Sequence, residues 1–164
     1  MTSPPTLTAE PAPLASSGAL LASHRAILCH FDSYSTALVF AHWPDGSLLW
    51  PGPLPEGATP AEVDGASPAD AEAVRQAAVA RLGLPDDEVV VHSPRFIEHV
   101  RAADGSVVRV HLLRFTTPDA PKPLLAAHGA VFKPLPQLRG AAAVELGLLR
   151  EVFNLIIGGG GRHG

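Results

Sequence analysis

Three carboxylates, Glu56, Glu62 and Asp64, lie close together in a stretch rich in Pro, Gly and Ala, and Glu72 follows shortly after. Carboxylate oxygens are the donors that Mg2+ and Mn2+ prefer, and a divalent ion so held can activate water for attack on phosphorus. The plainer reading is a solvated acidic loop, with Glu72 a first-turn acid that complements a helix dipole. Eight histidines also invite a metal. Their spacing does not support one, since no His-x3-His pair or Cys/His cluster at zinc-ligand spacing occurs; His24, His30 and His42 come from separate strands or their ends, and His92, His99, His111 and His128 are scattered. Trp43 and Trp50 could stack a base, although a tryptophan that ends a strand more often packs as core or rim. No Gly-rich dinucleotide loop, Walker-type loop or nucleophile elbow is present.

Alternating elements must position these groups. Arg25–Phe31 and Ala37–His42 read as strands, and the turn Pro44-Asp45-Gly46 leads to a third at Ser47–Trp50. Glu88–His92 reads as a short apolar strand. Phe96–Ala102 and Val107–Phe115 flank Ala103-Asp104-Gly105, a hairpin signal. Gly129–Leu135 reads as the last strand. Two helices are expected. The first starts at Ser67 as cap, with Pro68 at the favoured first position and Asp70 three residues after the cap. It buries Val74, Ala78 and Leu82 and stops at Gly83, before Pro85. The second, Ala142–Ile156, carries Leu146, Leu149, Val152, Phe153 and Ile156 at helical spacing.

At 164 residues and 46% hydrophobic, the chain can bury one domain's core. Residues 1–17, rich in Pro, Ser, Thr and Ala, read as a disordered tail. Residues 18–157 read as the domain, and residues 158–164, opening with four glycines, as a flexible tail. A net charge of −4 supplies no overall basic field for nucleic acid or anionic lipid. Cys29 is the only cysteine, so no internal disulfide forms, which suits a reducing compartment. With no apolar run near the ~20 residues that span a bilayer and no secretory-type N-terminus, the expected location is cytoplasmic.

The stretch from Trp50-Pro51-Gly52 to Leu82-Gly83-Leu84 resembles the signature loop and helix of the Nudix hydrolases. Their pattern runs Gly, five residues, Glu, seven residues, then Arg-Glu-Φ-x-Glu-Glu-x-Gly-Φ, where Φ is apolar. Gly83-Leu84 fits the closing pair, and the three helix glutamates then fall on Ala77, Ala80 and Arg81. If Arg75 is the family arginine, the slots hold Gln76, Val79 and Ala80 instead. Neither register retains a carboxylate. Pro53 replaces the second loop glycine, Ala58 follows Gly57 where the loop glutamate is expected, and about ten extra residues near Thr59 to Pro68 separate loop from helix. Ala130–Leu138 is similar to the family's late strand and its continuation towards the last helix.

The resemblance implies an α/β/α sandwich with a mixed central sheet. It also implies a degenerate box, without ordinary Mg2+-dependent hydrolysis of nucleoside diphosphate-linked substrates. No catalytic group is expected at Ala77, Ala80 or Arg81, and no metal or cofactor is expected. The protein would act by binding a nucleotide-like molecule or a protein partner, with Arg101, Arg109 and Trp50 as ligand-binding candidates. The family places nucleoside or terminal-phosphate binding near the late hairpin, where either arginine could hold an anion by bidentate hydrogen bonds. The alternative is a divergent hydrolase of the diphosphate (pyrophosphatase) type, with Mg2+ or Mn2+ held by Glu56, Glu62, Asp64 and Glu72. No nucleic-acid or membrane partner is expected; an oligomer built on the apolar last helix remains open.

Overall fold

The computed structural model describes residues 21–32, 34–55, 57–61, 68–91, 97–138 and 140–158. The expected terminal tail at 1–17, the cap at Ser67, and Glu56, Glu62 and Asp64 lie outside the described residues, as do His92, Arg95 and Phe96.

Nine residues of strand β1, His24–Asp32, are flanked by β6, Val107–Phe115, in parallel and by β2, Ala37–His42, in antiparallel orientation. Both faces of this centre are covered, which is why β1 and β6 carry near-continuous apolar runs in place of strict alternation. β7, Val131–Pro134, extends the sheet beyond β2. On the other side, β5 (Ile97–Arg101) pairs with the first part of β6, and β4 (Val89–Val91) with its last three residues. With β3 (Thr59–Ala61) paired to β5, the path runs β3-β5-β6-β1-β2-β7, with β4 also against β6, giving a mixed sheet of seven strands among the described residues.

Helix α1, Pro68–Leu82, covers one face. Val74, Ala77, Ala78 and Leu82 are buried there with Ala26, Leu28, Leu113 and Phe115. Helix α3, Ala143–Phe153, covers the other. Leu146, Leu148, Leu149 and Val152 pack with Ile27, Cys29, Phe40, Val110 and Leu112. Odd and even residues of β1 thus divide between two cores, as the two-residue period of a strand requires. The architecture is the expected α/β/α sandwich around a mixed sheet.

The end of α1 follows the sequence. Gly83 adopts φ +70°, and both its N–H and that of Leu84 donate to the Val79 carbonyl at 3.0 and 3.1 Å. A left-handed residue closes the helix and brings buried Leu84 back onto it. The hairpin also forms as expected. Gly105 has φ +90°, and Asp104 accepts from the backbone N–H of Ser106 at 2.9 Å.

Four expectations need correction. Ser47–Trp50 is not a strand; only Trp50 bridges to Ala26. Side-chain oxygens take the N–H groups that a ladder would use. Leu48 N donates to Glu145 Oε1 and Leu49 N to Ser47 Oγ, each at 2.9 Å. Part of the supposed loop insertion is strand β3, Thr59–Ala61, paired with β5. A five-residue helix α2, Lys122–Ala126, precedes β7 and buries Leu125. The last helix ends at Phe153 and continues as a wider turn through Gly158, one residue into the expected tail, leaving Phe153 partly exposed.

Candidate functional site

The helix turn that the glutamate pattern singles out does not form a cluster. Ala77 is buried against the sheet, whereas Ala80 and Arg81 face solvent. In the other register Gln76 and Ala80 are exposed and Val79 is half-buried. Position 77 is therefore a packing position, where alanine lets α1 approach β1 closely.

The carboxylates nearest this helix are already engaged. Arg75 Nε donates to both oxygens of Glu72 at 3.0 and 3.1 Å, and its Nη2 donates to Glu72 at 2.8 Å and to Asp86 at 3.0 Å. The same guanidinium donates to the carbonyls of Asp86 and Val89. Glu72 also accepts from Gln76. The Arg75 hydrogen bond holds the Glu72 carboxyl below its usual range, and Glu72 in turn raises Arg75. This fork is a clamp between α1 and the turn before β4, and it consumes the oxygen donors a cation would need. Among the described residues, no group of three or more His, Cys, Asp or Glu is arranged to hold a metal ion.

Trp50 is 6% exposed and packs in the core beneath α1. Its backbone exchanges hydrogen bonds with Ala26 at 2.8 and 2.9 Å, and Arg25 Nε reaches Pro53 O at 3.2 Å. The loop is thus tied to β1, and the indole offers no face for stacking a base. Arg101 is exposed at the hairpin and donates to Gly105 O.

Arg109 is placed differently. Its Cα partners are His99 on β5 and His24 on β1, so the three residues form one rung across adjacent strands, on the α1 face. His111, two residues further along β6, stands behind this rung. Its Nε2 lies 2.8 Å from His24 Nδ1, and the two rings stack at 5.1 Å with 15° between their planes. His24, His99 and His111 are 6, 7 and 0% exposed, while Arg109 is half-buried. Three polar atoms here are buried without a hydrogen-bond partner: Arg109 Nε, His99 Nε2 and His111 Nδ1. These histidines are scattered along the sequence, and strand register brings the three together.

Burial is the main reason that all three imidazoles are harder to protonate than a free histidine. His111 is pushed down to about 3, by burial first and then by His24, Arg109 and His99. His24 is lowered by burial, with Asp70 in the first turn of α1 acting in the opposite direction. His99 is lowered by burial and then by Arg109. At neutral pH the rung holds neutral rings around one fixed cation. The His24–His111 contact needs one shared proton, one nitrogen donating and the other accepting. Such an arrangement can bind an anion and store or release a proton.

Elsewhere, Trp43 Nε1 and Arg114 Nε are also buried without a hydrogen-bond partner. Glu145 in the first turn of α3 is 3% exposed and is held by the Leu48 N–H. Burial raises the Cys29 thiol to about 12, so it is inert core filler. A groove of about 560 Å3 lies at the far end of the α1 face, lined by His30, Asp32, Asp119, Lys122 and Phe132. There His30 Nε2 meets Thr117 O at 2.7 Å, and Asp32 is occupied by Tyr34 and Ser35. No helix among the described residues is long and apolar enough to cross a membrane. No protein-family model matches this sequence, and no curated protein matches it significantly.

Proposed function

We propose that this chain is a Nudix-like protein that has lost metal-dependent diphosphate hydrolysis and acts by binding a nucleotide-like ligand or a protein partner. One observation carries the reading. The helix turn to which the resemblance assigns the metal ligands offers a buried alanine, an exposed alanine and an exposed arginine. The neighbouring acids Glu72 and Asp86 are neutralised by Arg75. A divalent ion placed there would meet methyl groups and a guanidinium, with no oxygen cage to replace its water. The half-buried Arg109 supports the ligand-binding arm, since a guanidinium among neutral rings is matched to phosphate or carboxylate. The lone buried thiol suits the reducing cytoplasm.

The competing reading, a hydrolase with metal on Glu56, Glu62, Asp64 and Glu72, requires Glu72 to leave a fork of three hydrogen bonds with Arg75. The test is a hydrolysis screen with Mg2+ and Mn2+ over nucleoside triphosphates, ADP-ribose, dinucleoside polyphosphates and sugar nucleotides. The expected outcome is no turnover above the metal-only control. Clear turnover that is lost in Glu62→Gln or Asp64→Asn would establish the hydrolase instead.

A further inference from the structure

We propose that the His24–Arg109–His99 rung, with His111 against His24, is a proton-coupled site for the phosphoryl end of an anionic ligand. The inference rests on the ligand-binding arm of the preceding reading, but it is carried by geometry outside the glutamate pattern. His99, Arg109 and His24 are direct neighbours across three hydrogen-bonded strands, on one face, with His111 touching His24. Side chains paired this way stand about 5 Å apart, which places several N–H groups within reach of one tetrahedral anion.

Two of the rings are more than nine-tenths buried and still have an unused nitrogen, His99 Nε2 and His111 Nδ1; Arg109 Nε is a third unused group. Leaving such groups without partners costs on the order of 1–3 kcal/mol each, so a structure that assembles three on one rung favours a ligand that satisfies them. Arg109 is half-buried, the most exposed member of the group. Its fork suits the oxygens of a phosphoryl group, and the imidazoles complete the shell.

Charge then couples the site to protons. The charged and titratable groups facing it are Arg109 and His111 from β6, His99 from β5, His24 from β1 and Asp70 from α1, while Arg25, on the opposite face of β1, acts on His24 through the strand. With neutral rings, Arg109 is the cation of the group and Asp70 acts on His24 from α1, so a multiply charged anion brings more negative charge than Arg109 alone offsets. The ring that Asp70 already favours for protonation, His24, takes up a proton as the anion binds. No bond is made or broken; one proton passes from buffer to imidazole.

The probe is pyrophosphate, titrated into the full chain and followed by histidine Cε1–H NMR signals and by calorimetry in two buffers of different ionisation heat. Expected results are binding in the millimolar range or tighter and uptake of about one proton per anion. The His24 titration midpoint should also rise by roughly one unit. Arg109→Gln should weaken binding about tenfold or more, with Arg109→Lys recovering part of it. His99→Asn gives an independent check, because it removes an imidazole from the rung and leaves the His24–His111 contact intact. An unchanged histidine spectrum at millimolar pyrophosphate overturns the site, as does binding indifferent to both Arg109→Gln and His99→Asn. Tighter binding of malonate than of pyrophosphate overturns the phosphoryl assignment. Nucleotide turnover in the screen above would defeat the preceding reading and leave this site intact, so the two failures are separable.

Discussion

His111 shows how burial changes a residue's chemistry. In the unfolded chain it titrates near 6.5, and in the fold near 3. Between those values the unfolded state binds more protons, so the stabilising contribution is complete above about pH 6.5 and is lost as pH falls towards 3. The slope from this one group reaches at most about 1.4 kcal/mol per pH unit. His24 and His99, lowered for the same main reason, act in the same direction. Urea unfolding should therefore show a steady loss of stability from pH 7 to pH 5, where the depressed carboxyls of Glu72, Asp32 and Asp104 contribute little. His111→Gln should flatten that slope. An unchanged slope would mean that the rung is solvated and titrates normally. The hairpin half of this arrangement was legible at residue scale. A turn at Ala103-Asp104-Gly105 pairs Arg101 with Val107 and so places His99 opposite Arg109. His24 was not legible, because its parallel partner lies 85 positions away in a pairing that no local signal encodes.

At the scale of elements, the two helices illustrate opposite degrees of legibility. α1 was readable at its C-terminal end, because Gly83 must take a left-handed conformation that other residues resist. The role of Ala77 was not readable. One helical turn carries both a buried and an exposed alanine, and only the packed sheet says which is which. In α3, the spacing of Leu146, Leu149 and Val152 marked the buried face, but Glu145 reads in sequence as a polar surface residue. It is 3% exposed and accepts from Leu48 N at 2.9 Å, with Ser47 Oγ at 3.4 Å. Glu145 fastens α3 to the segment that leads into Trp50, in place of the strand expected there. Glu145→Ala leaves a buried N–H unpaired and opens space beside it, which should cost about 2–3 kcal/mol of stability. Glu145→Gln, which can still accept, should cost less. Chemical denaturation checks both, and equal small losses would show that water replaces the carboxylate readily.

At the scale of the molecule, the sandwich decides what the helix turn can become. Restoring the resemblance's acids would not restore a metal site, since position 77 faces the core between α1 and β1. Ala77→Glu should destabilise the fold by several kcal/mol, because a carboxylate there must be desolvated or remain protonated. Ala80→Glu and Arg81→Glu, both exposed, should be close to neutral. Thermal unfolding of the three variants checks this ordering. If Ala77→Glu were as stable as the others and bound Mn2+, position 77 would face an open cleft and the proposed loss of catalysis would rest on sequence alone.

By itself the sequence determined the local features: which stretches extend, where the hairpin turns, where α1 ends, and that no register of the glutamate pattern keeps a carboxylate. These depend on backbone preferences and on periodicities of two and 3.6 residues, which act over a few neighbours. Only the tertiary structure decided that Trp50 packs, that Arg75 captures Glu72 and Asp86, and that His24, His99 and Arg109 share a rung with His111 against His24. Those facts depend on parallel pairing and on which helix face meets the sheet. Such contacts join residues distant in the chain, and their energies appear only when the core closes and water leaves.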